Sequence, residues 1–155
     1  MARLLDEFIG IAEAFNEREI EYAVCGGWAM AIHGFLRATI DIDLLLMAED
    51  IDSAFEAARS RGFDIEGLPL NFDDGKFQLR RISKIDRESK ELITLDLLIV
   101  TDYLQDVWNG RQRVEWNRGE YKIVSREGMI KMKEMADRPK DRIDLEFLRG
   151  ENDES

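Results

Sequence analysis

Two aspartates stand in the pattern Asp41-Ile42-Asp43, inside a run from Ile40 to Met47 that is otherwise apolar and reads as a buried strand. Side chains alternate faces along a strand, so both carboxylates project from one face about 7 Å apart, while Ile40, Ile42 and Leu44 take the other. Two acids so placed repel and lose hydration, a cost that a divalent cation or hydrogen bonds must offset. A third acid in the same kind of setting, Asp96, lies within the apolar run from Leu92 to Val100. The chain has one histidine, His33, and one cysteine, Cys25, which excludes an internal disulfide and most zinc sites built from Cys and His. Three carboxylates without paired histidines suit a hard cation, Mg²⁺ or Mn²⁺, rather than Zn²⁺. The competing reading is that such acids lie on a solvated face or pair with arginine, for which Arg37 and Arg80 are available.

Gly26-Gly27 follows a short strand and precedes a helix, a junction where backbone N–H groups are unpaired and no Cβ obstructs an approaching phosphate. Alone, a glycine pair is more often a tight turn, and neither a GxGxxG fingerprint nor a Walker-type GK[ST] is present. Lys133 and Lys140 could reach a triphosphate, against the ordinary reading of helical lysines as solvated charges. Arg37 could contact phosphate or pair with Asp41. Trp28 could stack near a nucleotide, with packing of helix on sheet as its default role. His33 in an apolar helix reads as a packed histidine rather than a base, and Cys25 as a small core residue.

The elements that must position these residues alternate. Leu4, Leu5, Phe8, Ile11, Ala12 and Phe15 recur at helical spacing over residues 3–18. A strand over Tyr22–Cys25 precedes a helix from Trp28 to His33, closed by Gly34; the strand 40–47 and a helix over 49–61, stopped by Gly62, follow. Strands are predicted over Phe77–Ile82 and Leu92–Val100, separated by a charged turn from Lys84 to Lys90. Gln112–Trp116 and Tyr121–Val124 read as a hairpin turning at Asn117-Arg118-Gly119. Ser125 caps a helix reaching to about Asp137, and Pro139 sits in the first turn of a last one. The expectation is one α/β (α+β) domain over residues 1–149, a single layer of mixed sheet with helices, and a frayed acidic tail over 150–155.

A length of 155 residues that are 45% hydrophobic supports one core and argues against disorder. The net charge of −11 argues against a protein that coats nucleic acid through its phosphates. Residues 1–110 hold 11 basic and 22 acidic side chains, whereas residues 111–149 hold 11 and 8, so only the C-terminal quarter suits an anion. No run approaches the roughly 20 apolar residues of a membrane span, and the acidic N-terminus does not read as a signal peptide; a cytoplasmic protein is expected.

Gly26-Gly27, then thirteen residues, Asp41-Ile42-Asp43-Leu44 and a later strand acid in Leu95-Asp96-Leu97 together resemble the nucleotidyltransferase superfamily related to DNA polymerase beta. The stretch from Tyr22 to Leu46 is closer to bacterial stand-alone members, of the abortive-infection toxin type and, through Gly-Gly-Trp-Ala, the aminoglycoside and lincosamide adenylyltransferases. Val124 to Glu127 with Lys133, Arg138, Lys140, Asp141 and Asp144 resembles the C-terminal helices of the first group. Gly27 departs from the Ser that many members carry there.

The resemblance implies a nucleotidyltransferase fold of mixed sheet, packed helices and C-terminal helices. It also implies a Mg²⁺- or Mn²⁺-dependent enzyme that moves an NMP from an NTP to an acceptor hydroxyl, RNA, protein or small molecule, with release of pyrophosphate. Asp41 and Asp43 would hold the metal, Asp96 would complete the site and help deprotonate the acceptor, and Gly26, Gly27, Arg37 and Lys133 would bind the nucleotide. A partner subunit or a homodimer could complete acceptor recognition. The alternatives are a catalytically silent copy of the fold acting in a toxin–antitoxin pair, and a carboxylate metal-binding domain without nucleotide chemistry.

Overall fold

The computed structural model of the chain describes residues 2–35, 41–117, 119–136 and 138–150. Among these, six α-helices accompany a single eight-stranded mixed sheet, as the alternating elements predict. The N-terminal half runs α1 (Ala2–Glu17), β1 (Ala23–Cys25), α2 (Gly26–Ile32), β2 (Asp41–Leu46) and α3 (Ile51–Ser60). Then come β3 (Ile65–Glu66), β4 (Leu70–Phe72), β5 (Phe77–Ile85), β6 (Leu92–Ile99) and α4 (Gln105–Asn109). The chain closes with β7 (Gln112–Trp116), β8 (Gly119–Ile123), α5 (Arg126–Ala136) and α6 (Pro139–Leu148).

Strand order is β3-β5-β6-β2-β1-β8-β7, with β4 also paired to β5. The two most continuously apolar strands, β2 and β6, are central and parallel, the setting in which a strand is buried on both faces. Ile42, Leu44 and Leu46 are almost wholly buried, each stabilising the fold by roughly 1.5–3 kcal/mol. The helix over α1 buries Phe8, Ile11, Ala12 and Phe15, the face its spacing predicts. Glu7 of α1 meets Lys84 of β5 at 2.7 Å, and Lys84 Nζ donates to the Arg61 carbonyl just beyond α3. Helix α1 and the end of α3 therefore lie over the sheet face that carries Ile82 and Lys84, which leaves the face of Arg81 for the site.

Several boundaries differ from expectation. Helix α2 starts at Gly26 rather than Trp28, and α3 starts at Ile51 after a short 3₁₀ turn over Ala48–Asp50. Strand β5 runs on to Ile85, so the charged turn is shorter than predicted. The sequence pattern carried no expectation of β3, β4 or α4; every residue of β3 and β4 is exposed, so no alternation of burial marks them. Asn117 does adopt a positive φ of 47° in the β7–β8 turn, but Gly119 is already paired with Trp116. A Cβ there would lie 2.6 Å from the Tyr121 hydroxyl, so its bareness makes room for a ring rather than for a turn. Ser125 caps α5 by accepting from the Gly128 amide at 3.0 Å, and Pro139 opens α6, both as predicted. No helix among the described residues is long and apolar enough to cross a membrane. Of the tail expected over 150–155, Gly150 is described; residues 151–155 and Arg37 lie outside the described residues.

Candidate active site

Register decides which chemical groups meet. Cys25 on β1 pairs with Asp43 on β2, Asp43 pairs with Asp96 on β6, and Asp96 pairs with Arg81 on β5. Paired residues on neighbouring strands share a face, so these four side chains form one row across the sheet, about 4.8 Å from strand to strand. One pleat away, Asp41, Thr94 and Ser83 form a second, polar row, with the two hydroxyls 3.1 Å apart. One pleat the other way, Leu45, Leu98, Leu79 and Leu70 form an apolar row. Asp41 and Asp43 thus share a face, as strand alternation predicts, and Asp96 joins Asp43 on it.

The rows floor a cleft of about 700 Å³ whose lining includes Gly26, Gly27, Asp41, Asp43, Arg81, Asp96 and Lys133. Gly26 has a φ of +65°, and a Cβ on it would fall 2.1 Å from Asp43 Oδ2. The immediate need for glycine here is therefore the Asp43 carboxylate, which occupies the space a side chain would take. Gly27 is buried in the first turn of α2.

Asp96 is the most enclosed of the three acids, and its partner is Arg81. Arg81 Nε donates to Oδ1 at 2.7 Å and Nη2 to Oδ2 at 3.0 Å, a two-pronged pair. Arg80, one of the two arginines available to the competing reading, is one residue out of phase on β5, and its Nη1 donates to the Leu79 carbonyl. The bond to Asp96 raises the Arg81 pKa above its ordinary value, with the charges of Asp41 and Asp43 adding to the effect. As they stand, no three His, Cys, Asp or Glu side chains among the described residues converge on a point where a metal could sit. The three carboxylates that the sequence assigns to a metal share one face of the sheet, and the fork of Arg81 donates to both oxygens of Asp96. The donor chemistry still fits a hard cation, since Mg²⁺ is commonly held by one or two carboxylates together with substrate phosphates.

Lys133 of α5 is not a solvated charge. Its ammonium is buried 3.3 Å from Asp141 and 2.9 Å from Asp144 of α6, both fully buried, while the residue still lines the cleft. Burial would raise the Asp141 carboxyl, but hydrogen bonds from Arg138 Nε at 2.7 Å and the Arg138 amide at 3.0 Å, with the charge of Lys133, hold it below the ordinary value. The Lys140 side chain lies outside the described residues. Burial pushes the Cys25 thiol well above its ordinary pKa, and the charge of Asp43 adds to this. His33 Nε2 donates to the Val124 carbonyl at 2.9 Å, tying α2 to the start of α5 as a packed histidine. Trp28 stacks on Phe8 with ring centres 4.6 Å apart and is a packing residue.

Solved structures of the same fold include LnuA, a lincosamide antibiotic adenylyltransferase crystallised with lincomycin. It superposes with a TM-score of 0.62 at 16% identity, over 93% of this chain and 95% of its own. The chain has the nucleotidyltransferase fold. ANT(2")-Ia, in complex with adenylyl-2"-tobramycin, superposes with a TM-score of 0.64 at 19% identity over 98% of this chain and 90% of its own. TM1012 of Thermotoga maritima, a candidate nucleotidyltransferase, gives 0.64 at 14% identity over 100% of this chain and 96% of its own. No family model and no curated protein matches the sequence. The mixed sheet and C-terminal helices expected from the resemblance are thus those of a nucleotidyltransferase fold. Arg81 is the site residue that sequence reasoning missed; its signal was parity on β5, which needs the β5–β6 register to be read.

Proposed function

We propose that this chain is a nucleotidyltransferase that moves a nucleoside monophosphate from an NTP to an acceptor hydroxyl. The observation that carries the reading is the row in which Asp43 and Asp96 lie side by side, with Gly26 beneath Asp43, in an open cleft of a nucleotidyltransferase fold. Asp41 and Asp43 would hold a divalent ion, Mg²⁺ or Mn²⁺; bound there, it supplies neutralisation and alignment of the triphosphate oxygens. The backbone at Gly26 and Gly27, beside Asp43, and the ammonium of Lys133 would bind phosphate oxygens. The acceptor oxygen attacks the α-phosphorus, its proton passes to Asp96, and the bond to the β-phosphate bridging oxygen breaks, so that pyrophosphate leaves. The acceptor enters from the Asp96 side, where Leu98, Leu79 and Leu70 border the charged row.

Both antibiotic adenylyltransferases superpose over nearly their whole length, which supports a small-molecule hydroxyl as the first acceptor class to test. Incubation with each labelled NTP and Mg²⁺, alone, with lincomycin or tobramycin, and in cell extract, reads out whether small molecule, RNA or protein takes the label. Calorimetric titration with ATP and Mg²⁺ gives the direct check: binding that needs the metal and is lost in Asp41→Asn supports the reading, and binding indifferent to both sinks it. A silent copy of the fold, or a toxin–antitoxin component without catalysis, would show no metal-dependent rise in Tm with any NTP.

A further inference from the structure

The acid row carries its own cation. Asp41, Asp43 and Asp96 face one cleft, and Arg81 stands at the end of the row that holds Asp43 and Asp96, with its fork closed on Asp96. The two partners are unequally anchored. Asp96 has a side chain only 6% exposed on a central strand, whereas that of Arg81 is 44% exposed on β5. The Arg81 backbone is fixed, since its carbonyl accepts from the Gly67 amide at 2.9 Å, so the head can leave on its stem without disturbing the sheet. A half-exposed guanidinium opposite a buried carboxylate is the partner that can be displaced; the carboxylate cannot follow it into water.

A divalent ion held by Asp41 and Asp43 and completed by Asp96 would need at least one Asp96 oxygen, and both now accept from Arg81. Each Asp96 oxygen keeps a second lone pair, so cation and guanidinium compete for the same negative charge and for the orientation of the one carboxylate. Resting on the nucleotidyltransferase reading of this site, we propose that Arg81 is a positioning residue that holds Asp96 in the metal-free protein and competes with the divalent cation for it. Metal entry and Arg81 release are then one coupled equilibrium, and the apparent metal affinity is reduced by the fraction of molecules in which the fork is closed. Released, the guanidinium still borders the cleft, where a triphosphate would bring it a new anion.

The test is Mn²⁺ alone, titrated against the full chain with free Mn²⁺ followed by electron paramagnetic resonance, and Tm recorded in chelator and in saturating Mn²⁺. Arg81→Gln removes the competitor and is expected to tighten Mn²⁺ roughly tenfold, the effect of losing a charge-assisted two-pronged bond. Arg81→Lys, which keeps the charge but not the fork, falls between the two and guards against misfolding of the glutamine variant. In an Asp96→Asn background, Arg81→Gln should no longer change the affinity. The Tm lost by Arg81→Gln in chelator should return with Mn²⁺. A purely structural ion pair gives the opposite pattern: Mn²⁺ bound equally or more weakly by both Arg81 variants and a Tm loss that Mn²⁺ does not restore, and either result overturns the proposal. If Asp41→Asn leaves Mn²⁺ binding unchanged in every background, it is the functional reading itself that fails, and the proposal with it.

Discussion

Replacing Gly26 by alanine probes the closest approach in the site. The residue has a φ of +65°, where an L side chain is strained by about 1–2 kcal/mol. The added Cβ would also lie 2.1 Å from Asp43 Oδ2, 2.8 Å from its Cγ and 2.9 Å from its Cβ. Rotating the carboxylate away cannot relieve the last of these, so β1 and β2 must separate locally, a further cost of about 1 kcal/mol or more. The sum, about 2–3 kcal/mol, corresponds to a fall in Tm of roughly 5–10 °C for a domain of this size. Urea unfolding gives the stability, and calorimetry gives Mg²⁺-dependent ATP binding, which should be lost because Asp43 is displaced. The double variant Gly26→Ala/Asp43→Gly separates the two contributions: it should recover the clash component of stability and none of the binding. Had Gly26 served only the approach of a phosphate, the alanine variant would lose no more than the roughly 1–2 kcal/mol of backbone strain and Asp43→Gly would rescue nothing; that outcome refutes the steric account.

Other consequences follow from buried charge. Lys133→Met leaves the two fully buried carboxylates of Asp141 and Asp144 without their shared ammonium, and should cost about 3–5 kcal/mol by urea unfolding, partly restored by adding Asp144→Asn. Because the folded Asp141 pKa is lowered, its contribution to stability is present above the unfolded carboxyl value and is lost as pH falls through the folded one; Arg138→Ala should flatten that acid limb. Burial raises the Tyr22 phenol to about 12. Its contribution is therefore complete below the ordinary tyrosine value near pH 10 and is lost as pH rises from there towards 12, by about 3 kcal/mol in all, and Tyr22→Phe should remove that alkaline limb. Cys25, buried with its thiol pKa raised, should react with a thiol reagent only at the rate of opening, so that native and urea-unfolded protein differ in labelling rate by orders of magnitude.

Much of the site could be read without coordinates because some constraints are local. Strand alternation alone puts Asp41 and Asp43 on one face, and hydrophobic spacing alone gives the buried face of α1. The cap at Ser125 and the proline opening α6 are likewise properties of a few consecutive residues. The unpredicted elements, β3 and β4, are short edge strands with no buried face, so composition leaves no periodic trace of them. What only the tertiary structure decided is register and burial. A slip of one residue between β5 and β6 would turn Arg81 to the opposite face and bring Arg80 to the acid row, and nothing within either strand distinguishes the two. Lys133 has the sequence context of an exposed helical lysine; it is buried because α6 brings two aspartates against it. The sequence by itself determined that two of the cleft's acids would share a face. The folded chain determined that the third acid meets them already paired, since long-range pairing is set by how whole elements pack and not by the residues that flank each one.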